Sequence, residues 1–193
     1  MPEDYIYKKS GAGKREERQT RAEERYSRLR ELDSLTPEQF EQGLSYEFGP
    51  CMDERFGELI VKHDLFDTAL HLGFHEDPRI AFRASWALEW AFFDDMQRFG
   101  PYIPAFLDNY LRVRNPSAHR VYTKMLCHMM RKGLLDPDAL QAEQIVEKTF
   151  DLLIHPDTKV AVKVWCGEIL FDLSPRFDWV EEHLAETIRI QME

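Results

Sequence analysis

Along most of the chain apolar residues recur at helical spacing, and no alternating apolar–polar run is long enough to argue for a sheet. The pattern predicts helices throughout. Thr36-Pro37-Glu38-Gln39 reads as a helix start: Thr36 can cap, Pro37 fits the first helical position, and Gln39 can reach back to close a capping box. Phe40, Leu44 and Phe48 follow at steps of four, and Gly49-Pro50 ends the run. The next helix is expected from near Asp53, with Phe56, Leu59, Ile60, Phe66, Ala69 and Leu70 on one face. Asp64 is a point where it can divide, and Gly73 closes it. Between Ile80 and Phe93 only Arg83, Ser85 and Glu89 are not apolar, so that helix is expected to be sandwiched between neighbours. Later helices are marked by Ile103, Phe106, Leu107, Tyr110 and Leu111, by Val121, Met125, Leu126 and Met129, and by Leu140, Ile145, Phe150, Leu152 and Leu153. The run from Val160 to Leu173 and the set Trp179, Val180, Leu184, Ile188 and Ile190 complete the series.

These helices are punctuated by a capping residue followed by proline, at Thr36-Pro37, Asp77-Pro78, Asn115-Pro116, Asp136-Pro137 and Ser174-Pro175, with His155-Pro156 a weaker version. Pro78, Pro116 and Pro156 open segments of like character at steps of 38 and 40 residues. A period near 40 with two helices per unit is the mark of a helical repeat array. Trp86 and Glu89 are echoed by Trp165 and Glu168, a further 79 residues along, and Arg83, Arg120 and Lys163 occupy similar places in three opening helices. HEDPRIAFRASWALEWA and HPDTKVAVKVWCGEIL are the two best instances of the unit. In these segments the chain resembles HEAT-like (armadillo-type) helical repeats, well over residues 78–192 and more loosely over 37–74. The resemblance implies an all-α, right-handed α–α superhelix of three to four helix pairs. Second helices of such repeats commonly line a concave binding face. Here they carry Asp108 and Tyr110, then Glu143, Glu147 and Asp151, then Glu181, Glu182 and Glu186.

Charge sharpens this expectation. The formal net charge is −10, yet residues 1–30 contain nine Lys or Arg against six Asp or Glu. A mildly basic arm, residues 1–33, thus precedes an acidic repeat domain, residues 34–193. Residues 1–13, with Gly11-Ala12-Gly13, are expected to be irregular, and residues 14–33 to form a solvated helix with Ala22, Tyr26, Leu29 and Leu32 along one side. That helix suits packing on the first repeat, or an arm offered to a partner. An acidic body is repelled by phosphates, which counts against nucleic acid as a partner. Cys51, Cys127 and Cys166 lie far apart, without metal-ligand spacing, and read as reduced thiols of a cytoplasmic protein. No apolar stretch suits a signal peptide or a membrane span.

Candidate chemistry is sparse. There is no phosphate-cradling glycine loop, no GxSxG and no HExxH, so no catalytic residue and no cofactor are expected. His71 and His75 are one helical turn apart but lack a third ligand, so no metal site is expected. Glu89 and Glu168, in apolar helices, each call for a basic partner if buried, with Arg83, Arg120 and Lys163 as candidates. The expected function is a scaffold or adaptor. It would bind a protein with a basic or mixed surface through Asp108, Tyr110, Glu143, Glu147, Asp151, Glu182 and Glu186. Self-association through the arm or an end repeat is a further possibility. The alternative rests on Trp86, Trp90 and Asp94, spaced by four. Trp90 and Asp94 are similar in type and spacing to the tryptophan and aspartate that DNA alkylation-repair glycosylases of the HEAT-like fold set around an extrahelical base. The acidic body departs from the basic groove of those enzymes.

Overall fold

In the computed structural model, which describes residues 4–46, 49 and 51–192, the chain is all-helical, with no strand among those residues. The helices are α1 (Asp4–Glu31), α2 (Pro37–Ser45), α3 (Met52–His63), α4 (Phe66–Leu72), α5 (Pro78–Asp94), α6 (Ile103–Arg112), α7 (Ala118–Arg131), α8 (Ala139–Ile154), α9 (Val160–Leu173) and α10 (Val180–Met192). Phe48 and Pro50, expected at the end of α2, lie outside the described residues. None of the described helices is long and apolar enough to cross a membrane.

Local chemistry explains the boundaries. The Thr36 hydroxyl accepts from the Gln39 N–H, and the Gln39 side chain accepts from the Thr36 N–H, closing the expected capping box. Asp138 and Gln141 make the same pair at the start of α8. Asp77 caps α5 by accepting from the Arg79 N–H, and Asn115 accepts from the Ser117 and Ala118 N–H groups ahead of α7. The helix expected from Asp53 does divide: Asp64, at φ 56° and ψ 47°, takes the left-handed conformation that its short polar side chain tolerates, and α4 begins two residues later. At the amino end the irregular segment expected through Gly13 is corrected, because α1 already begins at Asp4. Two interior glycines cost about 1 kcal/mol each, which the long run of strong helix formers after them offsets.

Alternate helices pack side by side. Helix α3 lies on α5, α5 on α7 and α7 on α9, while α4 lies on α6 and α6 on α8. Helix α5 is enclosed, with Ala84, Ala87, Leu88, Ala91 and Phe92 fully buried. Small residues let α3 approach closely: a Cβ at Gly57 would run into the Trp90 ring, and one at Gly43 would sit 2.9 Å from both Leu29 Cδ1 and Phe56 Cε1. The second half of α1 is docked on α3. The Tyr26 hydroxyl donates to Glu58 at 2.7 Å, Arg55 pairs with Glu23 at 3.2 Å, and Lys62 donates to the Arg30 carbonyl at 2.7 Å. Phe99, in the turn after α5, is fully buried and meets Phe66, Phe92 and Phe106 edge-on at 5.3–5.9 Å.

The period read from the prolines recurs in the polar contacts between helices. Asn109 donates to the Leu70 carbonyl, 39 residues earlier, at 2.7 Å. The Tyr110 hydroxyl shares a hydrogen bond with Thr149, 39 residues later, at 2.6 Å. Asn115 donates to the Pro78 carbonyl across 37 residues, and Arg176 to the Pro137 carbonyl across 39.

Candidate functional site

A groove of about 1470 Å³ lies between the first half of α5, the end of α6, the segment leading into α7, and Lys148 on α8. Helix α5 supplies one wall. Arg79, Phe82, Arg83 and Trp86 recur at steps of three and four, so they share one side of the helix, while Ala84, Leu88 and Phe92 fill the core. Phe82 and Trp86 stack with ring centroids 5.5 Å apart. Phe74, Arg112 and Arg114 also line the groove, and the Arg112 guanidinium lies 5.4 Å from the centre of the Phe74 ring. Asn115 fixes the loop to α5 through its bond to Pro78.

Among the described residues no carboxylate lines the groove, although the chain carries ten more acidic than basic groups; Arg79, Arg83, Arg112, Arg114 and Lys148 do. Some of this charge is already engaged. Arg79 is held by Asp77 and Arg112 by Asp108, each at 2.7 Å. Arg83 donates to the Leu44 carbonyl at 2.6 Å and to that of Tyr46. Arg114 and Lys148 have no ion pair among the described residues. Burial lowers the Lys148 pKa, Asp151 opposes that shift, and the nearby Arg114 adds to it. His75 is committed to structure: its Nδ1 accepts from the Asp77 N–H at 2.9 Å, and its Nε2 then faces Glu41 at 3.2 Å. His71 is exposed.

The residues expected from sequence fall in several places. Glu143, Glu147 and Asp151 form an exposed row on α8, and Glu182 and Glu186 another on α10. Asp108 is exposed and paired with Arg112. Tyr110 is corrected. It is fully buried, its hydroxyl bonds Thr149, and burial raises its pKa well above the phenol range, so it cannot touch a partner. Of the other set, Trp86 lines the groove, Trp90 packs on Gly57, and Asp94 is exposed at the far end of α5. Of these three residues, only Trp86 lines the groove.

No family model, curated protein or solved structure matches the chain.

The echoed glutamates also differ. Glu89 is buried and has the basic partner that burial calls for: it pairs with Arg120 at 3.0 Å and with Lys124 at 2.9 Å, of which only Arg120 was among the candidates. Glu168 is not buried: its side chain is 44% exposed, and it pairs with Arg131, which also holds Asp172. The Cys127 and Cys166 thiols are buried, which pushes their pKa values up to about 11 and about 12 and leaves them poor nucleophiles. Arg79, Arg112, Arg114 and Lys148 were not foreseen as site residues. The local signal was the run Arg112, Arg114, His119 and Arg120, basic within an acidic chain.

Proposed function

We propose that the protein is a binding module of the HEAT-like kind, a right-handed α–α superhelix of stacked helix pairs, that holds an anionic partner in the groove beside α5. The observation that carries this reading is the groove lining, which among the described residues has five cationic side chains and no carboxylate, on a chain of net charge −10. The reading keeps the scaffold class suggested by the sequence and moves the contact surface from the acidic rows to the groove. A groove that gathers like charge raises the local concentration of an opposite ligand and speeds its capture. The buried thiols suit a reducing compartment such as the cytoplasm.

The test is fluorescence anisotropy with a labelled polyanion. Wild-type protein should bind, and Arg114→Glu with Lys148→Glu should weaken binding at least about 10-fold, since each reversal turns attraction into repulsion. Undiminished binding by that double variant would remove the groove from consideration. A second reading is carried by the exposed rows Glu143, Glu147, Asp151 and Glu182, Glu186, which suit a basic protein partner. Charge reversal of Glu143, Glu147 and Glu186 should abolish capture of such a partner in a pull-down. The glycosylase alternative is less well supported, because the groove holds Trp86 and, among the described residues, no acid to act beside it.

A further inference from the structure

We infer that the groove's ligand is single-stranded nucleic acid. This rests on the groove being an anion site and adds the nature of the anion. The groove is not a bare patch of charge. Along α5 the order is Arg79, Phe82, Arg83, Trp86, so cations alternate with stacked rings, and Phe74 beside Arg112 repeats the combination across the opening. Cations that track a backbone and rings that receive its bases are what single-strand binding requires. An acidic peptide would satisfy the cations and make no use of the rings. A duplex keeps its bases stacked on one another and offers the rings nothing. At about 1470 Å³ the groove also exceeds the roughly 300–1,000 Å³ of small-molecule sites, which fits an extended ligand.

Two apparent objections fail on magnitude. The arginines of the pairs Arg79–Asp77 and Arg112–Asp108 are 73% and 66% accessible, and ion pairs at a solvated surface are weak because water and salt screen them. A phosphate can therefore displace those carboxylates at little cost. The negative net charge is also a poor guide, because salt screens exposed charges beyond about 8 Å under physiological conditions. What a bound strand meets is the local lining, including Arg114 and Lys148.

The experiment uses the full chain and labelled strands of about 12 nucleotides, as DNA and as RNA, with a polyglutamate peptide of equal charge and the matching duplex as comparators. Binding of either strand at least about 10-fold tighter than polyglutamate and duplex is expected. Affinity should fall with salt by about 0.7 in the log–log slope per phosphate neutralised. Trp86→Ala should weaken strand binding about 5- to 100-fold and leave polyglutamate binding unchanged. Arg114→Glu, on an exposed residue, serves if Trp86→Ala does not fold, and should weaken strand binding about 10-fold. Equal binding of strand and polyglutamate, or preference for duplex, overturns the inference and leaves the anion groove standing. No binding of any of these probes overturns both.

Discussion

Helices α5 and α9 have much the same composition and different fates. Both are apolar on nearly every side, and both carry the Trp-x-x-Glu element. Helix α5 lies between α3 and α7 and leaves no apolar residue from Ile80 to Phe93 exposed, with Phe82 and Trp86 half-buried along the groove. Helix α9 packs on α7, α8 and α10, yet leaves Val160, Val164 and Phe171 at 78%, 55% and 66% exposure. The same element therefore buries Glu89 at 7% side-chain exposure and leaves Glu168 at 44%. An apolar helix is buried only where the stack supplies neighbours. Position among the packed helices decides what an identical motif does.

The comparison can be broken from the α5 side first. Replacing both Arg120 and Lys124 by alanine leaves the buried Glu89 carboxylate without a cation, and should cost about 3–5 kcal/mol in chemical denaturation. Phe92→Ala, which empties a fully buried ring site on the same helix, should cost a similar 3–5 kcal/mol. A loss under about 1 kcal/mol in either variant would mean that α5 is not enclosed as described. On α9, Glu168→Ala removes one side of an exposed pair and should change stability by about 0–1 kcal/mol.

Helix α7 joins the two regions, and His128 is the residue that bridges them. Its ring meets Phe93 on α5 at 5.0 Å and Trp165 on α9 at 5.6 Å. Burial lowers its pKa, and Lys124, Arg131 and Lys132 lower it further, while Glu89 opposes them. The folded protein thus holds the ring neutral where the unfolded chain takes up a proton. Stability from this site is present in full above the ordinary histidine value of 6.5 and is lost as pH falls through the lower folded value. His128→Gln should flatten the Tm–pH profile below about pH 6.5. An unchanged slope would show that His128 is not the titrating bridge. The smallest effect is expected at the open end of α9. Phe171→Ala, on a ring that is mostly solvated, should stay within about 0.5 kcal/mol of wild type. A cost above about 1 kcal/mol, rising with protein concentration, would reveal that the α9 surface is covered in solution.

What was legible in the sequence follows from range. Capping residues act within one turn, so Thr36, Asp77 and Asn115 announced their helices, and Asp64 announced the division between α3 and α4. Phe99 gave no signal, because it sits in a turn outside any period, yet it joins four aromatic rings in the core. Tyr110 belongs to the apolar stripe of α6 with Phe106 and Leu107, and only its nearness to Asp108 suggested a surface role. Whether Glu89 and Glu168 are buried was left open, because neighbour count cannot be seen from one helix. The groove was the least legible of all. Its cations come from four separate segments, and a net charge of −10 averages them away.

Asn109 and Tyr110 are adjacent on α6 and face opposite ways along the stack. One holds a carbonyl 39 residues behind it and the other a hydroxyl 39 residues ahead. Inserting or deleting one residue in a helix turns everything beyond it by about 100°. An indel within α6 ahead of Asn109, or within α8 ahead of Thr149, would therefore swing one of these buried groups off its partner and leave it unsatisfied, at about 1–3 kcal/mol. These bonds thus act as a ruler built into the chain. Changes of chain length are therefore expected in the loops that join these helices, and not within α6 or α8.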